Sequence, residues 1–217
     1  RRIPENVSQL KAGLWNKKEF SKARGLHGQT MGIVGLGQIG QEVALRAHAF
    51  GMKVMGWSRS LTDAKAEELG VERAATVREL CAQADVISVH LPLVDQTKHI
   101  IGCDEFAVMR ENTLFVNAAR GGVVDDQAML EAVNSGRIRA ASDVFEDEPK
   151  ASDKTIESPL ASCSGFYGTH HIGASTEQAQ DAVAQEVFRL IATFKGEGTA
   201  LNVVNAGNLP SPAGQLH

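Results

Sequence analysis

The apolar run Met31-Gly32-Ile33-Val34 is followed at once by Gly35-Leu36-Gly37-Gln38-Ile39-Gly40, and helical spacing of apolar residues then continues to Phe50. Few arrangements constrain a chain as tightly as strand, glycine turn and helix in that order. The first glycine permits a tight turn, the second leaves no side chain between the backbone and an approaching group, and the third lets helix and strand pack closely. The free N–H groups of the first helical turn then point outward along the helix dipole, which favours an anion. The segment therefore predicts a seat for the pyrophosphate of a dinucleotide, formed by Gly35, Gly37, Gln38, Ile39 and Gly40. Three glycines alone also mark ordinary loops, so the reading rests on the flanking strand and helix.

The rest of the chain repeats the same alternation. Apolar runs of strand length fall at 30–34, 53–57, 86–90, 113–117, 138–144 and, more weakly, 166–170. Helical spacing falls at 38–50, 64–69, 77–82, 105–109 and 127–133, and a long amphipathic segment from Thr176 ends near Lys195, ahead of Gly196 and Gly198. Nearly continuous apolar strands alternating with helices predict an α/β fold, a Rossmann-type doubly wound parallel sheet in three αβα layers. Each crossover is expected to be right-handed.

A length of 217 residues suits one large domain or two small ones, and a hydrophobic fraction of 43% is enough for a substantial core. The net charge of -4 leaves no basic footprint for a nucleic-acid partner. Cys81, Cys103 and Cys163 show neither CxxC nor metal-ligand spacing and read as reduced thiols, with no metal site expected. No apolar stretch reaches the roughly 18 residues of a membrane span, and the first residues lack a signal-peptide core. A soluble, cytoplasmic protein is expected. The ends, 1–24 and 199–217, look less self-contained than the middle, and the last is a Gly, Pro and Asn tail.

With a dinucleotide placed, the end of the second strand should meet the adenosine ribose. The sequence there is Ser58-Arg59-Ser60, with no carboxylate to hold a 2′-hydroxyl. Two hydroxyls and a guanidinium suit a 2′-phosphate, which tilts the cofactor from NAD toward NADP. The competing reading leaves Arg59 as a solvated charge and NAD bound through other contacts.

Three further segments lie at expected strand C-terminal ends, where open α/β sheets bind ligands. Arg120 stands before Gly121-Gly122 and can fork onto a substrate carboxylate. Asp143 opens a carboxylate-rich run that includes Glu148, and His170-His171 precede a helix start capped by Ser175 or Thr176. Removing a hydroxyl proton near neutral pH calls for histidine, and a neighbouring carboxylate would orient the ring. Each residue alone has a plainer reading: Arg120 as a surface or capping charge, Glu148 as part of a solvated loop, His171 as a satisfied interior histidine.

Taken together these motifs resemble the D-isomer-specific 2-hydroxyacid dehydrogenases, most closely the D-3-phosphoglycerate dehydrogenases among them. The likeness begins at Leu10-Lys11-Ala12-Gly13-Leu14-Trp15 and takes in Gly35 to Gly40, Ser88-Val89-His90-Leu91-Pro92-Leu93 and Asn117 to Asp125. It continues through Asp143 to Pro149, His171 to Thr176 and Asn202-Val203-Val204-Asn205. The resemblance implies that Arg120 grips the substrate carboxylate, His171 is the acid/base and Glu148 orients it. It also implies that Gln38 and Ile39 meet the pyrophosphate and that position 58 meets the ribose. Leu91, Ala118, Gly173 and Ala174 would border the cofactor, and Asp143 would hold the nicotinamide amide, with Arg120 and His171 close by. Two positions depart from the pattern: Ser58 replaces the usual Asp, and His170 replaces the usual Pro.

The implied activity is hydride transfer between a nicotinamide cofactor and a D-2-hydroxy acid, with 3-phosphoglycerate to 3-phosphohydroxypyruvate, the first step toward serine, as the leading reaction. NADPH-linked reduction of glyoxylate or hydroxypyruvate is the alternative within the class, and a dinucleotide-sensing binding module is the alternative outside it. The family also carries a substrate domain of about one hundred residues. Nothing in 1–217 corresponds to it, so the whole chain is expected to be the dinucleotide-binding domain, with 1–24 and 176–217 meeting the absent part. It is expected to bind a dinucleotide yet be feeble as a catalyst by itself, since a hydroxy acid would be held from one side only. A homodimer and a small-molecule 2-hydroxy or 2-oxo acid are the expected partners.

Overall fold

The computed structural model describes residues 2–149, 152–153 and 155–203, so the tail expected at 199–217 lies largely outside the described residues. These fall into two compact units, divided between His170 and His171.

The first unit is built on seven strands: β1 Thr30–Val34, β2 Lys53–Trp57, β3 Glu72–Arg73, β4 Val86–Val89, β5 Thr113–Asn117, β6 Ile138–Ser142 and β7 Phe166–Gly168. All neighbours pair in parallel, in the order β3-β2-β1-β4-β5-β6-β7. The chain runs outward from β1 to β3 and then returns to lay β4 on the other side of β1. The strand ends at β1 and β4 therefore flank the crevice where sheets of this kind take ligands.

Helices α1 Ile3–Lys11 and α2 Lys17–Phe20 precede the sheet, and α3 Gln38–Ala49, α4 Asp63–Glu68, α5 Val77–Gln83, α6 Cys103–Val108 and α7 Asp126–Asn134 connect its strands. Successive strand residues point to opposite faces, and Ile33 and Val34 accordingly enter two different clusters. One gathers Leu80, Ile87, Phe115 and Met129, the other Leu36, Val54, Leu61 and Val71. Local chemistry starts the helices: the Thr62, Thr76 and Asp125 side chains accept the N–H of Lys65, Glu79 and Ala128 at 3.2, 3.0 and 3.0 Å.

The fold is the doubly wound α/β sheet expected, with differences at element ends. The runs at 86–90, 138–144 and 166–170 stop at Val89, Ser142 and Gly168. At β6 the reason is local, because Ser142 Oγ contacts the Val144 carbonyl at 2.6 Å and the Val144 N–H at 3.4 Å, closing a turn. Met109 shares the periodicity of the helix before it, yet it adopts an extended backbone and is 0% exposed, so the core takes it and α6 stops. Strand β3 carried no apolar signal, since Glu72 and Arg73 are both exposed.

The second unit holds α8, Glu177–Glu197, capped by Thr176 Oγ1 accepting the Ala179 N–H at 3.1 Å and ended by Gly198 in the left-handed conformation. No α8 residue is buried, and Val183, Val187, Phe188, Ile191 and Phe194 form an exposed apolar series.

Candidate functional site

The glycine turn has the three properties its sequence asked for. Gly35 adopts φ 104°, and a β-carbon there would lie 2.5 Å from the His90 carbonyl oxygen, so both conformation and space require glycine. Its N–H donates to the Trp57 carbonyl at 2.8 Å, which fastens the turn to the end of β2. At Gly40 a β-carbon would come within 2.0 Å of the Gly35 carbonyl oxygen. Gly37 is different: the space where its β-carbon would stand has no atom within 4 Å. Gly37 is also the N-cap of the twelve-residue α3 and supplies no side-chain cap, while Gln38 and Ile39 of the first turn are exposed. An open approach to uncapped helix N–H groups fits a dinucleotide pyrophosphate.

At the end of β2 the Leu61 N–H donates to the Ser58 carbonyl at 3.2 Å, turning the chain so that Ser58 is half-buried and Arg59 and Ser60 are exposed. Arg59 makes no ion pair among the described residues. At the end of β4, His90 shares a 2.9 Å hydrogen bond with Ser88, and burial holds its imidazole below the ordinary histidine range, favouring the neutral ring. Leu91 closes on the glycine turn, its Cδ2 3.0 Å from the Gly35 β-carbon position.

The β5 and β6 ends are joined. Buried Asn117 accepts the Ala119 N–H at 3.1 Å and donates to the Arg120 carbonyl at 3.4 Å, which turns the chain and leaves Ala118 and Arg120 exposed. A β-carbon on Gly121 would lie 1.8 Å from the Phe145 carbonyl oxygen, so this loop and the one after β6 touch backbone to backbone. Asp143 donates its N–H to the Asn117 carbonyl at 3.0 Å and accepts the Thr169 hydroxyl at 2.5 Å. The Phe145 N–H donates to Glu148 Oε1 at 3.1 Å, which makes 145–148 a closed turn. The structure thus brings together Arg120, Asp143 and Glu148 on adjoining loops, at the same sheet edge as the glycine turn.

His171, Gly173 and Ala174 belong to the second unit, in the turn that leads into α8. His171 stands at φ 54°, a conformation that costs a residue with a β-carbon about 1–3 kcal/mol unless its surroundings hold it. The turn closes through Ser175 N–H to the Ile172 carbonyl at 2.9 Å. His90 carried no role in the sequence reading, although the quoted Ser88-Val89-His90-Leu91 segment contains the signal: two polar residues two positions apart at the end of β4, where the His90 carbonyl lies against the glycine turn. Among the described residues no helix is long and apolar enough to cross a membrane, and no group of His, Cys, Asp and Glu could hold a metal ion.

An open parallel sheet with a glycine turn after its first strand, and polar side chains collected along the strand C-terminal ends, defines a dinucleotide-binding domain. Residues 1–173 match the model of the NAD-binding domain of the D-isomer specific 2-hydroxyacid dehydrogenases. The chain belongs to that family. It is 44% identical over 211 residues to D-3-phosphoglycerate dehydrogenase of Methanocaldococcus jannaschii, a match covering 97% of this chain and 39% of the relative. It is 41% identical over 194 residues to hydroxypyruvate reductase of Thermotoga maritima, covering 88% of this chain and 60% of the relative. Among solved structures, a glyoxylate reductase from Paecilomyes thermophila superposes with a TM-score of 0.80 at 34% identity, covering 92% of this chain and 58% of that one. The chain therefore spans about two fifths of the length of the phosphoglycerate dehydrogenases it matches.

Proposed function

We propose that this chain is the coenzyme-binding part of a D-2-hydroxyacid dehydrogenase that interconverts 3-phosphoglycerate and 3-phosphohydroxypyruvate. The observation that carries the reading is the open space at Gly37 over an uncapped helix N-terminus, at the sheet edge that also holds Arg120 and Glu148. The names of the phosphoglycerate dehydrogenases it resembles supply the substrate. The α3 amides at Gln38 and Ile39, with Gly35 and Gly40 shaping the turn, would hold the pyrophosphate, and Ser58 and Ser60 would meet the adenosine ribose. Leu91, Ala118, Gly173 and Ala174 would border the nicotinamide half, with Asp143 accepting a hydrogen bond from its amide. When bound, the nicotinamide accepts or returns the hydride of C2.

The residues of the chain do the rest. Arg120 pairs with the substrate carboxylate and fixes which face of C2 is presented. As the C2–H bond breaks, His171 takes the hydroxyl proton on a ring nitrogen, leaving a C=O double bond, and in the reverse direction it returns that proton. Glu148 orients the imidazole and stabilises its protonated form. The exposed apolar series on α8 and the exposed Ile3, Val7 and Leu10 of α1 support contact with further protein, either a substrate domain or a second copy in a homodimer.

A second reading, NADPH-linked reduction of glyoxylate or hydroxypyruvate, is favoured by Ser58-Arg59-Ser60, where Arg59 is exposed and no carboxylate occupies position 58. Calorimetric titration with NADH and NADPH side by side, followed by turnover assays on 3-phosphoglycerate, hydroxypyruvate and glyoxylate, separates the two. Tighter NADH binding with turnover of 3-phosphoglycerate supports the first. Coenzyme binding with no His171-dependent turnover in a full-length version that carries a substrate domain identifies a dinucleotide sensor instead, and failure to bind either coenzyme ends both enzyme readings.

A further inference from the structure

His99 touches both of the loops that carry Arg120 and Glu148. Its main-chain N–H donates to the Gly122 carbonyl at 2.9 Å, two residues beyond Arg120. Its ring Nε2 lies 2.9 Å from Glu146 Oε1, two residues before Glu148. A carboxylate only accepts, so the ring donates this bond from Nε2. The Glu146 main chain is fastened separately, its N–H donating to Asp126 Oδ2 at 3.0 Å. Turn 145–148 is therefore held by the Phe145 N–H on Glu148, by the Glu146 N–H on Asp126 and by the Glu146 side chain on His99.

Two observations set this pair apart from an ordinary surface contact. His99 holds φ 50°, a conformation that a residue with a β-carbon keeps only when its neighbours fix it. The two side chains are 37% and 35% exposed, and a pair so accessible adds little to global stability, so its effect is local. What it fixes locally is the spacing of the two loops, which already meet where Gly121 backs onto the Phe145 carbonyl.

We propose that His99 is a positioning residue, which bridges the Gly122 carbonyl and the Glu146 carboxylate and so holds the Arg120 loop against the Glu148 turn. The catalytic part of this inference rests on the dehydrogenase reading of Arg120 and Glu148. The bridge keeps guanidinium and carboxylate at one separation, and a displacement of about 1 Å at such groups is enough to slow a reaction by up to about a hundredfold.

The test compares His99→Ala and Glu146→Ala with His99→Gln and Glu146→Gln in the same chain. The Gln variants keep a donor at 99 or an acceptor at 146. Hydrogen exchange should quicken across 145–148 in both Ala variants and stay near wild type in both Gln variants. The Kd for NADH should stay within about twofold, while kcat on the substrate that wild type turns over falls about tenfold in the Ala variants only. Exchange that is unchanged in His99→Ala, or equally fast in His99→Gln, overturns the bridge. Faster exchange with unaltered kcat overturns the positioning role. A wild-type chain that, with a substrate domain supplied, binds NADH but turns over no D-2-hydroxy acid overturns the dehydrogenase reading, and the exchange comparison then decides the bridge by itself.

Discussion

Gly40 stands so close to Gly35 that a single added methyl group would reach to 2.0 Å from the Gly35 carbonyl oxygen, whereas the same addition at Gly37 meets nothing within 4 Å. Two glycines of one motif are thus required for opposite reasons. Gly40→Ala forces backbone apart and should lower unfolding stability by about 1–3 kcal/mol. Gly37→Val should fold with stability within about 0.5 kcal/mol of wild type and lose NADH affinity by about a hundredfold. Denaturant unfolding and calorimetric titration read the two effects separately.

Gly121 makes the same demand between loops. Its β-carbon position is 1.8 Å from the Phe145 carbonyl oxygen, so Gly121→Ala should destabilise by about 1–3 kcal/mol and displace the Arg120 loop. Thermal melting with and without NADH should show lower Tm values in both states.

In the NADPH-linked reading, exposed Arg59 at the end of β2 would pair with the 2′-phosphate of the ribose. Arg59→Ala should weaken NADPH by about tenfold and NADH by less than about twofold, the loss expected of one charge-assisted contact. Equal losses for the two coenzymes, measured by fluorescence titration, remove the 2′-phosphate assignment.

His171→Ala should lower kcat by about a hundredfold to ten-thousandfold, the range of a lost general base, with NADH affinity retained. Because the residue holds φ 54°, replacement by alanine keeps the same backbone demand, and circular dichroism should show an unaltered helix content.

Burial pushes the Cys81 thiol from 9.0 up to about 12, with Glu105 adding to the shift. The unfolded chain therefore releases this proton first as pH rises, and stability should fall from about pH 9 toward pH 12, by at most about 1.4 kcal/mol per pH unit. A Cys81→Ala variant should lack that component of the alkaline decline in urea unfolding curves. In the native state at pH 8, alkylation should reach exposed Cys103 and leave Cys81 untouched.

The glycine turn and the strands 30–34, 53–57 and 113–117 were legible in the sequence because each is written locally, in apolar runs and turn residues. The same holds for Arg120 and Glu148, which lie beyond the runs that precede them, whereas Asp143 falls inside the run 138–144 and stands beyond the strand only because β6 stops at Ser142. What was not legible depends on distance in the chain. The double glycine after Arg120 gave no hint that Gly121 answers to Phe145, and nothing near His99 announces Glu146, which is 47 residues on. Strand β3 is made by pairing with β2 alone, since charged Glu72 and Arg73 carry no strand pattern. The left-handed backbone at His171 is equally silent in sequence, because no glycine or asparagine marks it.

The two outermost strands of the sheet, β3 and β7, are two and three residues long, and β3 consists of an exposed Glu and Arg. Unpaired strand edges can recruit other chains into growing β-stacks, and short charged ones offer few amides to extend. The longest and most apolar strands of this protein are thereby enclosed, and the folded sheet gives fibrillar assembly almost nothing to template on.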